Sequence, residues 1–136
     1  MRGRVVYPHE VVGPPRPGFS LAYSGDTRPS TEFASLAAGV LLMVHEATYL
    51  HRDLEQAKRT KHSTAKEAAE VAKMASAGLL CLTHFSPRYR DLSEFLGEAR
   101  EAFRRSYLAK RGLVLTVNLF EVDEALATVY EFSTIL

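Results

Sequence analysis

The sequence predicts a single α/β domain, 1–136, in which a mixed sheet is covered by helices. Two observations carry this prediction: apolar runs of strand length alternate with helical patterns, and the connections between them are short. Such alternation is typical of parallel or mixed sheets with covering helices. The length also suits one domain with its own core, which hides roughly two thirds of the unfolded surface.

The predicted strands are short and largely apolar, as expected where both faces of a sheet are covered. They are 19–23, 40–44, 79–83 and 113–119. Three helices are predicted between them from capping residues and apolar stripes. The first helix spans 30–38. The second begins at a capping box of Thr64 and Glu67 and stops at Gly78, and the third spans 93–107 with its serine as the N-cap.

The remaining segments carry weaker patterns. Residues 1–18 are predicted to be an irregular N-terminal segment, because prolines and glycines interrupt its apolar residues. The polar segment 50–61 is compatible with a loop or a frayed helix. Residues 121–132 are compatible with either a helix or a strand.

The balance of charged residues limits the classes of protein to which the chain can belong. The chain has 17 Lys and Arg against 16 Asp and Glu, and this balance argues against a histone-like polybasic binder. Four acids and no base lie after residue 120, however, so residues 1–120 carry a net charge of +5. The net charge of residues 1–120 is compatible with a polyanionic partner or with an ordinary mixed surface.

The compartment is predicted from cysteine usage and from hydropathy. The single Cys81 excludes an internal disulfide framework and a cysteine-only zinc site, which suits a reducing cytoplasm. The longest apolar run, 34–44, is shorter than the about 20 residues of a membrane span. The start of the sequence also lacks the apolar core of a signal peptide. We therefore expect a soluble cytoplasmic chain without a membrane partner.

Acid, base or metal-binding side chains follow three of the predicted strands. Asp26 follows the first strand, the His45–Glu46 pair follows the second, and His84 follows the third. His62 precedes a helix and is expected at the same rim. Open α/β sheets place their sites at the carboxyl ends of strands, and Asp, Glu and His are the ligand types of zinc and manganese centres.

Each of these residues taken alone also has an ordinary structural explanation. Asp26 is compatible with a turn residue bonded to its own backbone. The histidines are compatible with boundary or surface positions, and Glu46 with a solvated charge. Ser63 and Thr64 are compatible with simple helix caps, and Arg88 with a surface ion pair.

Read together, four motifs resemble ribonuclease Z, a tRNA 3′-processing endonuclease family of the metallo-β-lactamase superfamily. The motifs are S-G-D-T-R-P at 24–29, H-E-A-T at 45–48, K-H-S-T-A at 61–65 and L-T-H-F-S-P-R-Y at 82–89. Ordered motifs with compatible spacing are more specific than any one of them. The resemblance covers about residues 5–111 and implies the C-terminal half of a metallo-β-lactamase-type αββα sandwich.

The resemblance implies a role for each matched residue. Asp26 would bridge two metal ions, usually zinc with manganese as a possible substitute, and His84 would ligate one of them. Glu46 and His62 would form a pair that passes a proton to the departing 3′-oxygen. Substrate contacts are implied at three further positions, Arg88, Ser63 and Thr64. The implied reaction is metal-assisted hydrolysis of a phosphodiester in precursor tRNA.

The sequence also departs from the family. The motif His-x-His-x-Asp-His, which supplies most of the metal ligands, is absent, and the tail 113–136 does not follow the family pattern. Asp26 and His84 give fewer ligands than the three of a catalytic zinc site. We therefore expect the isolated chain to be inactive, and to associate with itself or with a complementary N-terminal half.

Two other functions remain open from the sequence. The same scaffold is compatible with hydrolysis of a small phosphodiester or another small ester. It is also compatible with a non-enzymatic, self-associating α/β module in which the motifs are unused.

Overall fold

The computed structural model describes residues 5–13, 18–122 and 125–134, with side chains up to residue 115. The helices are α1 (Pro8–Val11), α2 (Thr31–Leu36), α3 (Leu54–Thr60), α4 (Ala65–Met74) and α5 (Ser93–Ala102), with a 3₁₀ turn at His51–Asp53 before α3. The strands are β1 (Leu21–Tyr23), β2 (Leu42–Glu46), β3 (Leu79–Thr83), β4 (Ser106–Leu108), β5 (Leu113–Val122) and β6 (Ala125–Thr134).

Four of the strands form a parallel sheet in the order β1-β2-β3-β4. The predicted α/β fold, with helices covering a sheet, is therefore confirmed. β5 and β6 instead pair antiparallel in a sheet of their own. The predicted strand 113–119 lies in β5, outside the main sheet where the alternation had placed it, and most of the ambiguous segment 121–132 is strand. Among the described residues, no helix is long and apolar enough to cross a membrane.

The main core lies between one face of the parallel sheet and the helices. Met43, Leu80 and Leu82 point to this face and are fully buried. They pack with Phe95 of α5 and with Val71 of α4 in the same cluster. The α4 positions that face the core are mostly alanines, so the helix approaches the sheet closely. This packing fixes α4, and with it the loop that leads into its first turn.

The opposite face of the sheet is covered less evenly. Leu42 and Leu79 are buried there. On the edge strand β1, the side chains of Leu21 and Tyr23 are 54% and 63% exposed. Parallel pairing puts Leu21 beside Leu42, so the exposed pair continues the apolar face outward to the edge.

The predicted N-terminal caps of two helices are confirmed. Ser30 Oγ accepts a hydrogen bond from the N–H of Phe33, at the start of α2. At the start of α4, Thr64 Oγ1 accepts from the N–H of Glu67, and the Glu67 carboxylate accepts from the N–H of Thr64. These bonds satisfy amide groups that a helix start leaves unpaired.

Several predicted boundaries were wrong. The second strand begins and ends two residues later than expected, so His45 and Glu46 belong to β2. The third helix ends at Ala102, because residues 106–108 form β4 along the edge of β3. The N–H and C=O groups of this segment bond to the sheet, whereas the helical pattern predicted that they would bond within one more turn of helix. Ser93 is also the first helical residue and not the N-cap, since its N–H and hydroxyl both donate to the Asp91 carboxylate.

Gly78 has a different role from the predicted helix stop. α4 ends at Met74, and Ser76 takes the left-handed conformation that ends the turn, with a φ of 50°. A Cβ at Gly78 would lie 2.5 Å from the carbonyl oxygen of Leu41. Glycine is therefore required here because the backbones of two segments approach each other closely.

We predict that Gly78→Ala destabilises the fold by about 1–3 kcal/mol, because the new methyl group must displace backbone. Gly97→Ala is the matched control, since a Cβ at this position in α5 meets nothing within 4 Å. It should stabilise the fold by about 0.5–1 kcal/mol, as alanine does relative to glycine within a helix. Urea unfolding measures both free energies, and equal effects would contradict the close-approach explanation.

Candidate metal centre

The predicted functional side chains come together at the carboxyl ends of β1, β2 and β3. Asp26 follows β1, Glu46 is the last residue of β2, and His84 follows β3. His62 reaches the same rim from the loop before α4, where its ring stacks on that of His84. The alternation of strands and helices thus brings residues that are far apart in sequence to one edge of the sheet.

Glu46 is the most deeply buried charged group of this rim, with a relative exposure of 1%. Its Oε1 accepts hydrogen bonds from the N–H of Thr27 at 2.9 Å and from His62 Nδ1 at 2.8 Å. Its Oε2 accepts from the N–H of Thr48 at 3.1 Å and from the Thr48 hydroxyl at 2.8 Å. Four donors therefore compensate the desolvation of this carboxylate.

His84 is held by two contacts and by an uncommon backbone conformation. Its Nδ1 lies 2.8 Å from Thr48 Oγ1, and its Nε2 lies 3.5 Å from Asp26 Oδ2. Its φ is +57°, a conformation that side-chain-bearing residues rarely adopt. The rings of His62 and His84 stack with centroids 5.2 Å apart. The sharp turn of the backbone thus directs His84 toward the other rim residues.

Asp26, His62 and His84 form a group that could hold a cation. Each offers one ligand atom, and these atoms all lie within 4.8 Å of one another. One carboxylate oxygen and two imidazole nitrogens suit zinc or manganese, and three is the number of protein ligands at a catalytic zinc. The donor set therefore fits a metal ion. It also contains His62, which the sequence had assigned to the proton-transfer pair and not to the ligands.

The loop carrying His62 is fixed from both sides. Lys61 takes the left-handed conformation with a φ of 61°, and the N–H of His62 donates to the carbonyl of Ala57. Beyond His62, the Ser63 hydroxyl donates to the carbonyl of Thr27 at 2.6 Å. Ser63 and Thr64 are both fully buried. Their hydroxyls are used inside the chain, so neither reaches the surface where the predicted substrate contact would occur.

Arg28 is a residue of this site that the sequence reasoning missed. Its guanidinium donates to the carbonyl of His62 and to both carboxylate oxygens of Glu67. Glu67 is also the capping residue of α4, so Arg28 ties the start of that helix to the His62 loop. The available signal in the sequence was its position in the motif 24–29. Its pairing with Glu67 spans 39 residues and cannot be predicted from local sequence.

His45 points away from the rim into the core. It is fully buried, and its Nδ1 lies 2.8 Å from the carbonyl oxygen of Glu46, while its Nε2 has no hydrogen-bond partner among the described residues. Its ring makes a T-shaped contact with that of Phe33. Burial lowers the pKa of His45, because the charged imidazolium loses its hydration.

Arg88 lies on the exposed side of the rim. Its guanidinium sits over the ring of Tyr49, 5.2 Å from the centroid. The neighbouring Tyr89 instead bonds within the chain, because its hydroxyl donates to the Asp53 carboxylate. Arg88 is therefore exposed to solvent, whereas Tyr89 is partly buried and bonded within the chain.

The parallel sheet, its covering helices and the Asp–His group at the strand ends define a chain with the metallo-β-lactamase fold. A metallo-β-lactamase fold protein from Bacillus subtilis matches it with a TM-score of 0.62, over 68% of this chain and 37% of that one, at 24% identity. In sequence, the chain is similar to ribonuclease Z over most of its own length. It is 50% identical to ribonuclease Z of Brevibacillus brevis over 113 residues, or 79% of this chain and 36% of that protein.

Other relatives agree with this similarity. Ribonuclease Z of Haloarcula marismortui is 43% identical over 90% of this chain and 40% of its own length. A long-form RNase Z from yeast matches with a TM-score of 0.58 and 40% identity, over 65% of this chain and 12% of that one. The resemblance read from the motifs is thus confirmed. The chain spans about two fifths or less of these curated relatives, and no family model matches it.

We predict that Glu46→Gln destabilises the fold by about 1–3 kcal/mol, the cost of an unsatisfied buried donor. Both carboxylate oxygens accept a backbone N–H, so either orientation of the new amide places its NH₂ against an N–H. Glu98→Gln is the matched control. Both Glu98 oxygens accept from the single N–H of His51, which the amide oxygen can serve alone, so a change within about 0.5 kcal/mol is expected. Urea unfolding that gave the two variants equal losses would contradict this.

We also predict that His45 makes the fold less stable as the solution becomes acidic. Its pKa is lower in the folded chain than the ordinary value of about 6.5, so the unfolded chain binds the proton first as the pH falls. This lowers the free energy of unfolding by at most about 1.4 kcal/mol per pH unit below that value. His45→Asn should remove this component. Identical pH profiles of unfolding for the two proteins would rule it out.

Proposed function

We propose that this chain supplies part of the active site of a metal-dependent endoribonuclease of the ribonuclease Z type. The reaction is removal of the 3′ trailer from precursor tRNA by phosphodiester hydrolysis, in the cytoplasm. One observation carries the proposal: the Asp26–His62–His84 group, backed by the buried Glu46, lies in a chain that is 50% identical to a ribonuclease Z.

In this proposal Asp26 and His84 hold the metal. The expected metal is zinc, two ions in the complete site, with manganese as a substitute. Metal ions at such a site activate water and stabilise charge on the attacking and leaving oxygens. Asp26 and His84 are both about half exposed, so the cation and the scissile phosphate can reach them.

Glu46 and His62 handle the proton. His62 Nδ1 donates to Glu46 Oε1, which leaves Nε2 as the atom that exchanges a proton with the departing 3′-oxygen. The carboxylate stabilises the imidazolium that forms on protonation. Nε2 cannot hold a metal and carry a proton at once. We assign it the proton in the complete site, where further ligands share the metal.

Substrate contact is proposed for Arg88. Its exposed guanidinium lies beside the rim and suits a backbone phosphate of RNA. Ser63 and Thr64 are buried, and we propose that they act on the substrate indirectly, by holding the loop of His62.

The rest of the site is proposed to come from a complementary segment. The chain spans about two fifths or less of its curated relatives, so more than half of their length lies outside the match. The exposed Leu21 and Tyr23 extend an apolar sheet face that such a segment would cover. We therefore propose that the isolated chain is inactive, and that a second copy of the chain is the alternative occupant of this face.

The test is cleavage of precursor tRNA by the chain mixed with the complementary segment of a ribonuclease Z, in zinc or manganese. Asp26→Asn should lower cleavage by at least about 100-fold, since even partners of metal ligands are worth about 10–100-fold. Asp91→Asn is the matched control, because Asp91 lies at the start of α5 and its replacement keeps an acceptor for Ser93. It should retain full activity.

Three outcomes would contradict the proposal. One is no gain in cleavage over either part alone. Another is activity that Asp26→Asn leaves unchanged. The last is faster turnover of a small chromogenic phosphodiester than of precursor tRNA, which would favour a small-ester hydrolase on the same scaffold.

A further inference from the structure

Thr48 contacts both the buried carboxylate and one of the candidate metal ligands. It lies two residues beyond β2's last residue and is 5% exposed. Its Oγ1 is 2.8 Å from Glu46 Oε2 and 2.8 Å from His84 Nδ1. One hydroxyl therefore bridges two groups that do not otherwise touch through a hydrogen bond in the described part of the chain.

The protons on this bridge can be assigned from chemistry. A threonine hydroxyl has one hydrogen to donate, and an ionised carboxylate only accepts. If the hydroxyl donated to His84, its oxygen would face Glu46 Oε2 with no hydrogen between them at 2.8 Å. The hydroxyl therefore donates to Glu46, and its lone pair accepts the Nδ1–H of His84.

The same carboxylate sets the tautomer of the second histidine directly. His62 Nδ1 lies 2.8 Å from Glu46 Oε1, so this nitrogen carries the hydrogen as well. Both rings then have their lone pair on Nε2. On His84 that atom is the one beside Asp26, 3.5 Å from Oδ2. Hydrogen bonds on one imidazole nitrogen commonly decide which nitrogen is free for a metal.

We propose that Thr48 is a positioning residue: because its hydroxyl donates to Glu46, its oxygen must accept the Nδ1–H of His84. The buried carboxylate of Glu46 thus sets the tautomer of both histidines, directly for His62 and through Thr48 for His84. With these tautomers, the Nε2 atoms of His62 and His84 both have a free lone pair near Asp26. The use of His84 Nε2 for a metal, and of His62 Nε2 for the proton, rests on the proposed function. The tautomers themselves do not, because they follow from contacts within this chain.

The test is nitrogen NMR of the metal-free chain with ¹⁵N-labelled histidine, at a pH well above the ordinary imidazole pKa of about 6.5. The protonated and lone-pair nitrogens of a neutral ring differ widely in chemical shift, so each tautomer is read directly. We expect His62 and His84 to carry the hydrogen on Nδ1. The internal reference is the exposed His9, for which we expect the tautomer that solvent favours, with the hydrogen on Nε2.

Substitution separates the bridge from a merely structural threonine. Thr48→Val should move the hydrogen of His84 to Nε2 and leave His62 unchanged, whereas Thr48→Ser should restore the wild-type tautomer. Thr60→Val is the matched control, because the Thr60 hydroxyl donates to the Gln56 carbonyl within α3 and also bonds the Tyr49 hydroxyl, and it bonds neither histidine. It should leave both tautomers as they are.

The proposal is overturned if wild-type His84 carries its hydrogen on Nε2, or if Thr48→Val leaves the His84 tautomer unchanged. Should Thr48→Val fail to fold, the wild-type and Thr48→Ser spectra still decide between the two tautomers. Because neither metal nor RNA is present, a failure of precursor-tRNA cleavage does not alter this result. Equally, a wrong tautomer at His84 refutes the role of Thr48 even in a protein that cleaves RNA.

Discussion

The candidate site depends on the burial of one carboxylate, Glu46, at the end of the second strand. A buried charge is tolerated when hydrogen bonds replace its hydration, and here the donors come from three separate segments. The turn after β1, the turn after β2 and the loop before α4 must therefore converge on this group. The electrostatic requirement of one side chain thus fixes the geometry of its neighbours.

Packing supplies the rigidity on which that convergence depends. α4 is held against the sheet by alanines, its first turn is closed by a capping box, and Arg28 ties that turn to the carbonyl of His62. Functional side chains placed on such supported turns keep their positions without a ligand. The geometry of the candidate site is thus set by contacts within this chain.

Much of this arrangement could be predicted from the sequence, for identifiable reasons. Local caps such as Ser30 and the Thr64–Glu67 box use short-range bonds, and the motifs carried Asp26, Glu46, His62 and His84. The strand β4 could not be predicted, because its pairing with β3 is non-local and its sequence follows a helical pattern. The same holds for the ion pair of Arg28 with Glu67, 39 residues away, and for the contact of Thr48 with His84, 36 residues away.

Asp26 follows β1, which is the more exposed of the two three-residue strands of the parallel sheet. β1 has three residues, pairs on one side with β2, and leaves two apolar side chains about half exposed. Elements with so little buried area open at low free-energy cost. Whatever covers β1 therefore also decides how firmly Asp26 is held. Under the proposed function, linkage then requires that docking on that face and metal binding at the rim strengthen each other by the same factor.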